Sequence, residues 1–275
     1  MMNVAYVGDL RAFSGIMMSL LSLAKENPNE SLSVYLLSGH FADKKKHYAS
    51  LGEKERAFLE KMIRTYQVAS NVHFIDCSVL FERELGNSVN LKNLYTPYAF
   101  MRLLMDLIPE LPDVVLYLDY DTVILGSLND LYHTPLQGKD FAIAPDQIES
   151  RYFLKAKFNT GVMLLNLKEI RADGCFKKAR KAVNSKLMLM PDQTALNAVP
   201  LSKKAILDCK YNDHVTLHEN TVIRHYTHAL VWTPVVHVID VKPWNFAEYA
   251  KTYPDEPHQE LFALYKAFKK EYNAL

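Results

Sequence analysis

At 275 residues, 49% hydrophobic and 11% aromatic, the chain can bury one large core or two modest ones. Lys and Arg number 32 against 31 Asp and Glu, a formal net charge of +1 that argues against bulk nucleic-acid binding. Cys77, Cys175 and Cys209 lie far apart with no C-x-x-C pair, which excludes a zinc knuckle or disulfide framework and points to reduced thiols in a cytoplasmic setting.

The first residues carry no basic segment and reach Asp9 before a long apolar run develops, so no signal peptide is expected. No stretch of about 18 uncharged apolar residues marks a membrane span, so a soluble or at most membrane-peripheral protein is expected. Asn3 to Val7 reads as a buried strand, Ser14 to Lys25 as a helix packed on a sheet, and Ser33 to Leu37 as the next strand. Glu53 to Thr65 has helical periodicity and Val72 to Ile75 is strand-like. Alternation of this kind predicts an α/β fold with a doubly wound, mostly parallel sheet. No G-x-G-x-x-G follows the first strand, which disfavours a dinucleotide site. Asp9, at the end of that strand, is either a helix N-cap or an acceptor for a base or ribose.

Asn93 to Leu107 is helical in pattern, with Pro97 in the first turn and Arg102 among apolar neighbours. Arg102 is either a snorkelling surface residue or a cation reaching the sheet edge. Val114 to Leu118 then runs into Asp119-Tyr120-Asp121, two carboxylates one residue apart at the end of a buried strand, where α/β sheets place ligands. Buried together, they call for a cation, and a hard divalent ion suits oxygen ligands. A turn cap with a solvated neighbour is the alternative.

Phe141 to Pro145 is another apolar strand, finishing on Asp146. Asn159-Thr160-Gly161 precedes a further apolar strand and reads as an ordinary turn or as a close approach of ligand to backbone. Ile170 to Val183 is a basic amphipathic helix whose Lys177 to Lys181 run reads as a solvated face. Pro191 opens a short helix with Asp192 and Gln193 in its first turn. Beyond Lys204 come short strand-like runs (206–207, 215–217, 221–226, 235–238) and five histidines, His214, His218, His225, His228 and His237. Gln259 to Tyr272 is a basic amphipathic helix for which core docking, dimerisation and contact with an anionic membrane are open, core docking being the default.

The order of these motifs resembles the family-8 glycosyltransferases. The likeness rests on the strand ending at Asp9, on Tyr95-Thr96-Pro97-Tyr98 leading to Arg102 and then the Asp119-Tyr120-Asp121 core, on Phe158 to Leu167 with Asp192-Gln193, and on the late histidines before Lys242-Pro243-Trp244. A lone D-x-D is weak; the ordered set, spanning residues 3 to about 245, is specific. The resemblance implies a GT-A nucleotide-sugar fold over 1–245, with a helical extension over 246–275 packed on the core. It implies transfer of glucose or galactose from a UDP-sugar to a glycan or glycoprotein acceptor, with retention of configuration and Mn²⁺ (or Mg²⁺) as cofactor.

Carried over residue by residue, Asp119, Asp121 and His225 look like metal ligands, with Asp119 also close to the ribose. Val7 and Asp9 match the uracil- and ribose-facing strand end, and Arg102, Tyr120, Asn159 and Thr160 match donor contacts. Asp192 and Gln193, with Asp146, are candidates at the reacting centre, and Lys242 at the diphosphate. The histidine region departs from the family spacing: His225-Tyr226 sits on a suitable strand, but His228 takes the place of a glycine and Lys242 comes late. His237 is the alternative ligand. A nucleotidyltransferase is disfavoured because Gly8 to Gly15 offers only Arg11 as a cation, and a non-catalytic sugar-nucleotide-binding module is the alternative function.

Overall fold

The computed structural model describes residues 1–42, 47–92, 96–147, 157–227, 229–231, 237–256 and 258–275, with the backbone alone at 42, 47, 92, 229–231 and 237–239. Thirteen strands are assigned among these residues: β1 (Met2–Val7), β2 (Leu32–Ser38), β3 (Phe41–Ala42), β4 (His47–Tyr48), β5 (Asn71–Asp76), β6 (Val114–Leu118), β7 (Thr122–Ile124), β8 (Phe141–Pro145), β9 (Phe158–Asn166), β10 (Lys204–Ile206), β11 (Ile223–His225), β12 (Ala229–Val231) and β13 (His237–Ile239). Seven form one sheet in the order β10-β8-β9-β6-β1-β2-β5. Its pairs β1/β2, β1/β6, β2/β5 and β8/β10 are parallel, and only β9 runs against its neighbours β6 and β8.

Both faces of the five inner strands are covered, which is why these read as largely apolar runs rather than alternating ones. Every position of β2 is buried. Successive residues serve opposite cores: Val4, Tyr6, Leu116 and Leu118 join one cluster, while Ala5, Val7, Val115 and Tyr117 join the other. The helices Phe13–Glu26, Glu53–Arg64 and Gln259–Asn273 supply the first cluster, and Pro97–Met101, Leu167–Asp173 and Cys175–Ser185 the second. The C-terminal helix seats Leu261 and Tyr265 in the core and sets Phe268 and Tyr272 against Phe58, with ring centroids 6.5 and 5.2 Å apart. No helix among the described residues is long and apolar enough to cross a membrane.

Four expectations change. The segment after Pro97 is α-helical only to Met101 and tightens to a 3₁₀ turn over Arg102–Leu107. Gly174, at φ +65°, breaks the expected single helix into Leu167–Asp173 and Cys175–Ser185; a left-handed residue ends a helix, and glycine enters that region without steric cost. Within the expected solvated run Lys177 to Lys181, Arg180 is buried: it donates to Asp106 Oδ1 and to the Leu103 carbonyl, both at 2.5 Å. Residues 215–217 form a bend and irregular loop rather than a strand.

Candidate active site

Chain order places the first carboxylate pair where strand β6 runs out. Asp119 follows the last residue of β6, and Asp121 precedes β7, so the pair straddles a tight turn in which the Thr122 hydroxyl donates to the Asp119 carbonyl at 2.8 Å. Strand β7 pairs antiparallel with β11, setting His225 opposite Thr122. The Tyr226 amide donates to the Asp121 carbonyl at 2.9 Å and extends the match by one residue. This two-stranded ribbon carries the imidazole to the carboxylates across a hundred residues of sequence.

Asp119, Asp121 and His225 each offer a ligand atom, and these atoms lie within 4.8 Å of one another. His225 Nε2 stands 3.1 Å from Asp121 Oδ1 and 3.8 Å from Asp119 Oδ2. Two carboxylate oxygens and an imidazole nitrogen form a donor set suited to a divalent ion such as Mn²⁺. Gly161 keeps the space open. A Cβ there would lie 2.0 Å from His225 Cε1 and 2.9 Å from Asp119 Oδ2, so any side chain would displace the ligands themselves. The residues fit a metal.

Cations flank the trio. Arg102, buried, donates to Asp119 Oδ1 at 2.8 Å, to the Thr160 carbonyl at 2.8 Å and to its hydroxyl at 3.2 Å, and its Nε lies 3.4 Å from Asp192 Oδ2. The snorkelling alternative does not hold for it. Its guanidinium lies over the Tyr117 ring, 4.6 Å from the centroid, and the Tyr117 hydroxyl donates to Asp119 Oδ1 at 2.5 Å. Lys242 donates to Asp121 Oδ2 at 2.8 Å, to the Tyr226 carbonyl at 2.6 Å and to Asp240 at 2.9 Å. Burial alone would push the Asp121 carboxyl up, but Lys242 and His225 outweigh it and hold Asp121 well below the usual carboxylate range. Asp192 shows the opposite balance: burial raises it, and Arg102 brings it only part of the way back.

Asn159, Thr160 and Gly161 lie inside strand β9, not in a turn before it. The Asn159 carboxamide oxygen accepts from the Gly161 amide at 2.9 Å and from Asn212 Nδ2 at 3.0 Å. Asp192 and Gln193 occupy the first turn of the Pro191–Asn197 helix, as the sequence suggests, with Asp192 buried and Gln193 half-buried beside Met190. Asp146, directly after β8, lies 3.5 Å from His214 Nε2. Asp9 accepts from the amides of Arg11 and Ala12 at 3.0 and 3.2 Å and pairs with the Arg11 guanidinium at 2.6 Å. It thus stabilises the turn into the first helix without being that helix's N-cap residue, which is Ala12. Val7 closes β1 beside it, and the Tyr120 ring packs 6.0 Å from Trp244.

The alternative ligand His237 has its backbone in β13, and its side chain lies outside the described residues, as do Tyr95, His228 and most of the 147–157 loop. Sequence reasoning missed Asn212, fully buried under His225, and the Arg224–Glu256 pair behind it. Neither sits in a periodic pattern. Burial also pushes the Cys77 thiol up to about 12, which removes it from chemistry at neutral pH.

A family description, "Glycosyl transferase family 8", matches residues 3–248. The chain is 25% identical over 263 residues to a lipopolysaccharide 1,3-galactosyltransferase of Salmonella typhimurium, spanning 88% of this chain and 73% of that protein. It is also 25% identical over 303 residues to a lipopolysaccharide 1,2-glucosyltransferase of Escherichia coli, spanning 94% of this chain and 84% of the other. Among solved structures, it superposes on the galactosyltransferase LgtC in complex with donor and acceptor sugar analogs, with a TM-score of 0.68 at 20% identity over 94% of this chain and 98% of that one. The glycosyltransferase GlyE of Streptococcus pneumoniae gives a TM-score of 0.61 at 21% identity, over 98% of this chain and 64% of that one. The GT-A fold expected from the sequence is the fold observed.

Proposed function

The chain belongs to glycosyltransferase family 8 and is a glycosyltransferase; from that premise we propose that it moves glucose or galactose from a UDP-sugar to a glycan or glycoprotein acceptor, with retention and with Mn²⁺ or Mg²⁺ bound. The observation that carries the proposal is the convergence of Asp119, Asp121 and His225 within 4.8 Å, flanked by buried Arg102 and Lys242. The catalytic domain is 1–245, with 246–275 as a helical extension packed on it. The two hexoses differ by the orientation of one hydroxyl, and the relatives named above include both a galactosyl- and a glucosyltransferase.

In this reading Asp119, Asp121 and His225 hold the ion, which when bound supplies positive charge to the diphosphate. Lys242 meets the same diphosphate and stabilises the charge that grows on UDP as the glycosidic bond breaks. It is fixed for this by the Tyr226 carbonyl and Asp240. Val7, Asp9 and Tyr120 face the nucleoside, while Arg102, Asn159 and Thr160 border the sugar. Asp192, braced by Arg102, and the Gln193 amide oxygen face the anomeric carbon and support its developing positive charge. Asp146 binds on the acceptor side.

The outer face of the C-terminal helix carries a further proposal. Lys266, Lys269 and Lys270 line, together with Phe246 and Tyr265, an open depression of about 400 Å³. We assign this face to peripheral contact with an anionic membrane, which its three lysines favour over a second copy of the chain.

Calorimetry of UDP with and without Mn²⁺, on the parent and on Asp121→Ala, tests the main proposal. Metal-dependent UDP binding that the substitution abolishes is the expected result, followed by hydrolysis of one of the two UDP-hexoses. UDP binding indifferent to both metal and Asp121 would sink it.

A further inference from the structure

The hydrogen bonds behind His225 settle the state of its Nδ1, while Nε2 faces Asp121 Oδ1 at 3.1 Å. The Gly161 backbone N–H can only donate, and it donates to Asn159 Oδ1. The backbone carbonyl of Asn159 can only accept. Asn212 approaches both, at 3.0 Å from Asn159 Oδ1 and 3.2 Å from that carbonyl, so the group it turns towards them is its NH₂. Its Oδ1 then faces His225 Nδ1 at 2.8 Å. An amide oxygen accepts only, so His225 Nδ1 must carry the proton. Asn212 is fully buried, so bulk solvent does not compete for its amide. The neighbouring backbone fixes the approach: the His225 amide donates to the Asp213 carbonyl at 2.8 Å.

We propose that Asn212 is a positioning residue: its side-chain oxygen holds His225 protonated on Nδ1, so that Nε2 is the nitrogen turned towards Asp119 and Asp121 for a divalent cation. The proposal rests on the metal-binding reading of that trio. A histidine ligand keeps its ring plane and its tautomer through the hydrogen bond made by its other nitrogen, and loss of that partner typically weakens metal binding.

Two variants of the full chain separate this role from simple packing. Asn212→Asp keeps an oxygen for Nδ1–H and loses the amide donor to Asn159; Asn212→Leu loses both. Titrated calorimetrically with Mn²⁺, the Leu variant is expected to bind about 10- to 100-fold more weakly than the parent, with the Asp variant within a few fold of it. Both variants cut the Asn159 tie, so equal weakening would reduce Asn212 to a structural role and overturn the proposal. A second measurement needs no metal. In the metal-free parent labelled with ¹⁵N-histidine, His225 is expected to show its proton on Nδ1, and a bare Nδ1 overturns the proposal whatever the calorimetry gives. A parent that binds no Mn²⁺ while showing Nδ1–H removes the metal site itself, and the proposed role falls with it, for a reason these spectra distinguish.

Discussion

At the scale of single residues, one missing methyl group sets the width of the site. Gly161 lies in mid-strand, where glycine ordinarily weakens a sheet, and its place is explained by what stands over it. Gly161→Ala must push His225 or Asp119 aside, because the added carbon would overlap the imidazole. The variant is expected to fold, as judged by circular dichroism, and to bind Mn²⁺ at least about tenfold more weakly, since small shifts of a ligand side chain remove metal affinity. Full Mn²⁺ affinity in that variant would show that the cation binds elsewhere. The sequence made Gly161 visible as a small residue before an apolar run, and made Asp119 and Asp121 visible by spacing. Asn212 was illegible, because a buried amide inside Tyr211-Asn212-Asp213 resembles any loop polar residue until its two partners, Asn159 and His225, are brought to it.

At the scale of elements, the ribbon of β7 and β11 is the joint on which the candidate site hangs. It is braced from behind by Arg224, whose guanidinium meets both oxygens of Glu256 at 2.9 to 3.1 Å, and by Tyr226, whose hydroxyl donates to Glu256 at 2.8 Å. Both charges are buried. Removing one partner strands the other in a medium of low polarity, so Glu256→Gln is expected to cost roughly 3 kcal/mol, read as a fall in the denaturant midpoint. Replacing both, as Arg224→Met with Glu256→Leu, is expected to recover much of that loss. An unchanged midpoint in the single variant would mean that the pair braces nothing. The inner strands of the main sheet were legible because burial on both faces writes an apolar run into the sequence. Strand β11 was legible as part of the strand-like run 221–226 but not as the partner of β7, since three residues of pairing carry no register signal of their own. The reversal of β9 was likewise invisible: antiparallel and parallel buried strands have the same composition. Arg180 looked solvated because its neighbours Lys177, Lys178 and Lys181 are, and its burial depends on Asp106 from a different element.

At the scale of the whole molecule, the last helix closes over the first. Phe13 and Phe58 stand against Tyr272, and Leu261 and Tyr265 complete the core on that side. Deleting residues 259–275 would uncover this apolar surface, and exposed patches of that kind drive association. The truncated chain is expected to melt several degrees lower and to scatter light on warming, yet to bind UDP with Mn²⁺ within a few fold of the parent at low temperature, because none of its lost side chains reaches the trio. Loss of UDP binding in folded truncated protein would tie that helix to the site. Composition made the helix and its apolar face legible; which surface it covers depends on long-range packing that no local pattern encodes.

The ribbon also orders events in time. All seven strands of the main sheet lie within the first 206 residues, whereas His225 and Lys242 come after them. During synthesis, which delivers the N-terminal portion first, the scaffold's strands leave the ribosome before the residues that complete the candidate site. A nascent chain halted near residue 210 therefore holds every strand of the sheet and both carboxylates, but lacks the imidazole and the lysine. The candidate site stays incomplete until the tail has been made.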